Sequence, residues 1–223
     1  LDFGVGTAES YAPGGAVLPP SQHTSQLSAE AFARLIRLAP RPADVSSLDP
    51  PPSWASWNHG EPGLWPRPEG AEVDLNEVDG PEWIDRVGDR ARERLRAGGW
   101  DIVIGHCDWL ADNVRWKGAE LLVVHDWDSA VAESEAVLVG FAAALYSTVS
   151  PDVLATVDET DRFLRAYCGA RGRVFSVDEI QRSWAAGVWT RAYDAKYQHV
   201  VGHPIASLTE ADARARLRRA GCV

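Results

Sequence analysis

One polar cluster constrains this chain more than any other stretch: His106-Cys107-Asp108-Trp109-Leu110-Ala111-Asp112-Asn113, with Asp126 thirteen residues beyond Asn113 inside His125-Asp126-Trp127-Asp128. Asp101 to Gly105 (DIVIG) is a short apolar run bounded by polar residues and glycine. It reads as a buried strand or extended segment that delivers His106 to a loop ending at Asn113. Val114 to Trp116 then reads as a strand, Lys117-Gly118 as a tight turn and Glu120 to His125 as the returning strand, because apolar residues flank a glycine-centred turn. The open end of such a hairpin brings Asn113 and Asp126 together, close enough for one metal ion to meet both.

A carboxylate, a carboxamide and a second carboxylate in this order suit phosphoryl transfer. That reaction asks for a carboxylate to orient the attacking hydroxyl or accept its proton, and for magnesium held by hard oxygen ligands to neutralise the phosphates. Asp108 fits the first role, and Asn113 and Asp126 fit the second. His106 is expected to pack and hydrogen-bond so as to shape the loop.

The pattern His-x-Asp-x-x-x-x-Asn followed by an Asp-led motif after a hairpin resembles the catalytic loop and metal-binding segment of the protein-kinase-like fold. In detail it is similar to the aminoglycoside phosphotransferase and choline kinase-like family: Asp126-Trp127-Asp128 stands where protein kinases have Asp-Phe-Gly, and no Ala-Pro-Glu follows. The resemblance is specific over residues 100–148 and compatible elsewhere. It implies that Asp108 is the catalytic base, that Asn113 and Asp126 bind Mg2+, and that ATP or GTP is the phosphoryl donor to a small-molecule hydroxyl such as that of an aminoglycoside or amino alcohol. Asp128 matches an acidic position in related motifs and, with His106, supports the loop.

Two other classes remain open. One is a non-catalytic binding or regulatory module derived from the same lobe. The other is a metal-dependent hydrolase built on His106, Asp108 and His125, since His and Asp also ligate transition metals. Cys107, Cys168 and Cys222 form no CxxC pair, so neither a disulfide framework nor a zinc site follows. Cys107 is read as a small residue in a tight loop. A formal net charge of −10 argues against a general nucleic-acid binder. No run approaches a membrane span and no signal peptide opens the chain, which leaves the cytoplasm as the expected compartment.

A kinase-like enzyme also carries an amino-terminal lobe with a strand lysine that meets the nucleotide phosphates. Only two lysines occur here, Lys117 and Lys196, both after the loop. Gly4-Val5-Gly6 and Gly14-Gly15 lack the surroundings of a phosphate loop. The chain contains no Met, so its start is expected to lie within a longer reading frame, and the amino-terminal lobe is expected to be absent from these residues. The expected organisation is a loop or interlobe remnant over 1–26 and a kinase-like carboxy-terminal lobe over 27–223. Its fold class is α+β, mostly α-helical, with a small catalytic β-hairpin.

Elsewhere, Ser28 is expected to cap a helix whose Ala31, Phe32, Leu35, Ile36 and Leu38 share a face, stopped by Pro40 and Pro42. Residues 40–80, rich in Pro, Gly and Trp, read as an irregular segment whose Trp54, Trp57 and Trp65 pack onto the core in preference to walling a pocket. Asn58, His59, Glu61 and Asp79 are candidate pocket polar residues. Pro81 opens a helix ended by Gly98-Gly99, and helical patterns follow over 132–148, 158–170, 177–199 and 209–220.

Overall fold

The computed structural model describes residues 12–46, 48, 50–70, 72–98, 101–148 and 154–222. Helix α1 spans Gln22–Leu38 and α2 spans Glu82–Arg96. Four strands follow, β1 (Ile102–His106), β2 (Val114–Lys117), β3 (Glu120–Val124) and β4 (Ala130–Ser134), and then α3 (Glu135–Leu145), α4 (Val157–Arg171), α5 (Val177–Val200) and α6 (Glu210–Arg219). Gly4-Val5-Gly6 and Gly99 lie outside the described residues.

The strands form two separate antiparallel ladders, β1 with β4 and β2 with β3. In the hairpin Val114 pairs with Val124 and Lys117 with Glu120, and the register shifts between Arg115 and Trp116. Gly118 sits at the turn with φ 63°, the left-handed value that glycine adopts without steric cost. Ala16 bridges to Trp116, tying the early segment to the hairpin edge. The other ladder pairs Ile102 with Ser134 through His106 with Ala130. Gly105 lets α1 and α3 press onto β1: a Cβ there would meet Ile36 at 2.6 Å and Leu138 at 2.9 Å.

Helices form the rest of the core. α1 packs on α4, α3 on α5, and α2 on α5. Every residue of α3 is buried, as expected of a helix apolar on all sides. It crosses α5 at Gly140, where a Cβ would come within 2.1 Å of the Ser183 carbonyl oxygen. Only glycine permits that backbone approach. α4 and α5 each begin with a capping box, Thr156 with Glu159 and Ser176 with Glu179, which satisfies orphan amides at the helix start.

The structure departs from the sequence expectation in three places. α1 begins at Gln22, within the stretch expected to be a loop, and its cap is Ser21, whose hydroxyl accepts from the Thr24 amide at 3.0 Å. Ser28 lies inside the helix, buried, where its hydroxyl accepts from the Trp109 indole at 2.8 Å. Residues 132–134 belong to β4, not to the following helix: pairing with β1 overrides the helical pattern of their sequence.

Candidate functional site

Both ladders converge on the polar cluster. β1 ends at His106, whose Nε2 lies 2.9 Å from the His125 carbonyl oxygen. Its ring is fully buried, edge-on to Trp109 and Trp127, and burial lowers the pKa of the imidazole. His106 thus joins the loop to the end of β3. The Cys107 amide donates to the Ser129 carbonyl at 2.9 Å and its thiol to the same oxygen at 3.2 Å. Burial pushes that thiol's pKa well above the usual thiol range, the reverse of what a nucleophile needs. Trp109, buried between Phe32 and Ser28, anchors the loop to α1.

Asp108 is half-buried between these anchors. Asn113 donates from Nδ2 to its carbonyl oxygen and to Oδ2, each at 2.9 Å. A 3-10 turn over Ala111–Asn113 places Asn113 at the head of β2, and the His125 amide donates to the Asn113 carbonyl at 2.8 Å. Burial pushes the Asp108 carboxyl up to about 6, opposed by the Asn113 amide and reinforced by the nearby Asp126 and Asp128 carboxylates.

Asp126 is the single non-glycine residue with positive φ (67°) among the described residues. A left-handed aspartate costs about 1–3 kcal/mol unless its surroundings enforce it, and such positions gather at functional sites. Here a 3-10 turn over Trp127–Ser129 enforces it: Ser129 donates to the Asp126 carbonyl at 3.1 Å and, through its hydroxyl, to Oδ2 at 3.2 Å. Asp126 is exposed, yet its carboxyl is held above the ordinary value by partial desolvation and by Asp128, within hydrogen-bonding reach. His106, Asp108, Asn113, Asp126 and Asp128 therefore gather beside the His106–Ala130 end of one ladder and the Val114–Val124 end of the other.

Asp108 also borders a cavity of about 470 Å3, in the size range of small-molecule sites. Trp54, Leu110, Leu145 and Tyr197 give it apolar wall, and Thr148, Thr190, Arg191 and Asp194 line it with polar groups. Trp54 reaches it because the irregular segment is tied down from several sides. Trp189 donates its indole N–H to the Trp54 carbonyl at 3.1 Å, and Tyr193 bonds Ser53 at 2.9 Å. Arg92, buried, donates to the carbonyls of Trp57, His59, Gly63 and Leu64. Trp57 and Trp65 are 1% exposed and pack as expected, whereas Trp54 is a pocket wall. Asn58, His59, Glu61 and Asp79 do not line the cavity. The α5 residues that do were missed because the helix reads as a core face; the signal was the polar Thr190, Arg191 and Asp194 interrupting the Trp184, Val188, Ala192 stripe.

Neither lysine of the chain meets this cluster. Lys117 is exposed at the hairpin turn, and Lys196 is buried against the Val78 carbonyl and Asp85. Among the described residues, no three or more His, Cys, Asp and Glu side chains gather as a metal-binding group. No helix there is long and apolar enough to cross a membrane.

No family model and no curated protein matches the sequence. Among solved structures the chain is similar to a choline/ethanolamine kinase family protein from Mesorhizobium loti, with TM-score 0.53 and 17% identity over 95% of this chain and 66% of that one. It also aligns with an ethanolamine kinase of Plasmodium vivax, with TM-score 0.49 and 12% identity over 90% of this chain and 59% of that one. The chain thus spans slightly less than two thirds of the first protein's length. At such identity the shared property is the backbone path: the chain has the protein-kinase-like fold of a choline/ethanolamine kinase family protein.

Proposed function

We propose that this chain carries the metal-binding and acceptor-binding part of a small-molecule kinase, which moves the terminal phosphoryl group of ATP or GTP to a hydroxyl. The supporting observation is Asp108: a carboxyl bordering a cavity of small-molecule size, held by one amide, with its pKa pushed up to about 6. Such a group is ionised at neutral pH and still basic enough to take a proton. Asp108 accepts a hydrogen bond from the acceptor hydroxyl, aims its oxygen, and receives its proton as the new P–O bond forms. Asn113 keeps the Asp108 carboxylate in one orientation.

The donor set also fits a magnesium ion. Asn113 spends its Nδ2 on Asp108, which leaves the amide oxygen as a hard donor. Asp126 and Asp128 crowd each other, a repulsion that a divalent cation relieves. Asn113 and Asp126 are the residues that would hold it, and Asp128 would add negative charge nearby. Magnesium takes few protein ligands and keeps water and phosphate oxygens in its shell, so one amide oxygen and one carboxylate suffice beside a nucleotide. When bound, it supplies the charge that neutralises the nucleotide phosphates. The hydrolase reading loses ground because the Nε2 of His106 faces a backbone carbonyl and the ring is enclosed by tryptophans.

Incubation of the chain with Mg-ATP or Mg-GTP and a panel of alcohol acceptors tests this by mass spectrometry of the products. A phosphorylated acceptor that disappears with EDTA is the expected result. Tight Mg-nucleotide binding with no product from any acceptor would point instead to the non-catalytic module, and acceptor turnover without nucleotide would sink the kinase reading.

A further inference from the structure

We infer that Ser129 is a positioning residue of the metal site, tying the carboxylate of Asp126 to the loop that carries Asp108. This deepens the kinase reading and rests on it for the metal. Ser129 spends its polar groups on both sides of the site. Its carbonyl accepts from the Cys107 amide at 2.9 Å and from the Cys107 thiol at 3.2 Å. Its amide donates to the Asp126 carbonyl at 3.1 Å, and its hydroxyl to Asp126 Oδ2 at 3.2 Å. Cys107 adjoins Asp108, and Ala130, the next residue after Ser129, pairs with His106. Asp108 and Asp126 are thereby linked through a single residue.

These contacts do different things. The backbone ones shape the chain: they close the 3-10 turn and hold it against the end of β1. Alanine at position 129 would keep all of them. The hydroxyl bond is separable from the fold. Ser129 is 8% exposed, yet the carboxylate it meets belongs to an exposed residue, which water can satisfy in any rotamer. What the bond fixes is direction.

Direction matters here because Asp128 lies within hydrogen-bonding reach of Asp126, and two like charges turn away from each other when nothing holds them. A hydroxyl beneath the carboxylate opposes that turn and presents the group ready for a cation. Carboxylates that ligate metals are themselves held by hydrogen bonds, and loss of the holding partner costs about 10–100-fold in metal affinity.

Calorimetric titration of the full chain with a non-hydrolysable ATP analogue, once with magnesium and once in EDTA, tests the inference. Ser129→Ala should weaken binding of the magnesium complex about tenfold and leave binding of the metal-free nucleotide unchanged. Without ligand it should melt within about 2 °C of the unaltered chain. Asp126→Gly removes the carboxylate while keeping the left-handed backbone accessible. The double variant should bind the magnesium complex as Asp126→Gly alone does, since the hydroxyl then has nothing left to orient. Equal weakening in EDTA, a large fall in melting temperature, or a further loss in the double variant would overturn the inference. The kinase reading fails separately. No magnesium-dependent binding by the unaltered chain, or full binding by Asp126→Gly, removes the metal assignment and the role of Ser129 with it. Weakened binding by Asp126→Gly beside an unaffected Ser129→Ala removes the role of Ser129 alone.

Discussion

Two carboxyl groups withdrawn from water, one fully and one half, have opposite company in this molecule. Glu135, 1% exposed at the start of α3, accepts from the Tyr167 hydroxyl at 2.6 Å, from Arg171 at 3.1 Å and from Arg173 at 2.6 Å. Arg173 also pairs with Asp101 and Glu179. Asp108 has one neutral amide and, beyond it, the carboxylates of Asp126 and Asp128. The first arrangement neutralises a charge that the fold has enclosed and joins β1, α3, α4 and α5. The second concentrates negative charge at a loop, which no folding requirement explains. Crowding without compensation is where chemistry is to be sought.

The comparison is broken most severely at Glu135. Glu135→Ala leaves Arg171 and Arg173 without their buried partner, and removal of one member of such a network costs about 3–5 kcal/mol. Urea unfolding should register that loss, and a change under 1 kcal/mol would mean that the network is ornamental. Asp108→Asn has the opposite profile. Loss of a general base lowers turnover about 10²–10⁴-fold, with Mg-nucleotide affinity unchanged within about a factor of two. An equal loss of nucleotide affinity would assign Asp108 to the metal shell.

The same variant should also be more stable than the parent, which sharpens the contrast with Glu135. The Asp108 carboxyl is raised to about 6 in the folded chain from an ordinary value near 3.8, so the folded state holds its proton more firmly than the unfolded state does. Stability from this group is therefore fully present below about pH 4. It is lost as pH rises through about 6, a cost of about 2–3 kcal/mol at neutral pH. Asp108→Asn should recover much of that at pH 7.5 and little at pH 4, and equal gains at both would refute the electrostatic account. Turnover should fall as pH drops below about 6, when the base is protonated. The smallest effect is at the exposed partner: Asp126→Asn should weaken Mg-nucleotide binding about tenfold with little change in melting temperature, and unaltered affinity would remove Asp126 from the metal.

The hairpin and the polar loop before it were legible because their instructions are local. Gly118 marks the turn, apolar residues flank it, and the spacing from Asn113 to Asp126 follows from its length. The ladder partner of β1 was not legible. Ala130–Ser134 has no strong strand pattern and becomes a strand by meeting Ile102–His106, a non-local contact that no window of sequence reports. Ser28 reads as a helix cap, yet the helix starts about two turns earlier at Ser21, and Ser28 is committed instead to a tryptophan far along the chain. The cavity beside Asp108 was hidden for a related reason. Thr190, Arg191 and Asp194 sit in the mostly buried middle of α5, and only packing reveals that this part of the helix borders a void.

The way in which Trp54 is held has an evolutionary consequence. Its position is fixed through its backbone carbonyl by Trp189, and through neighbouring Ser53 by Tyr193, while Arg92 clamps the carbonyls that follow. None of these bonds involves the Trp54 indole. The side chain at position 54, which packs edge-on to Phe141, can thus be exchanged for another that keeps that contact while the frame that presents it stays in place. A lineage can reshape this wall of the cavity by single substitutions there, without first finding a new loop to carry them.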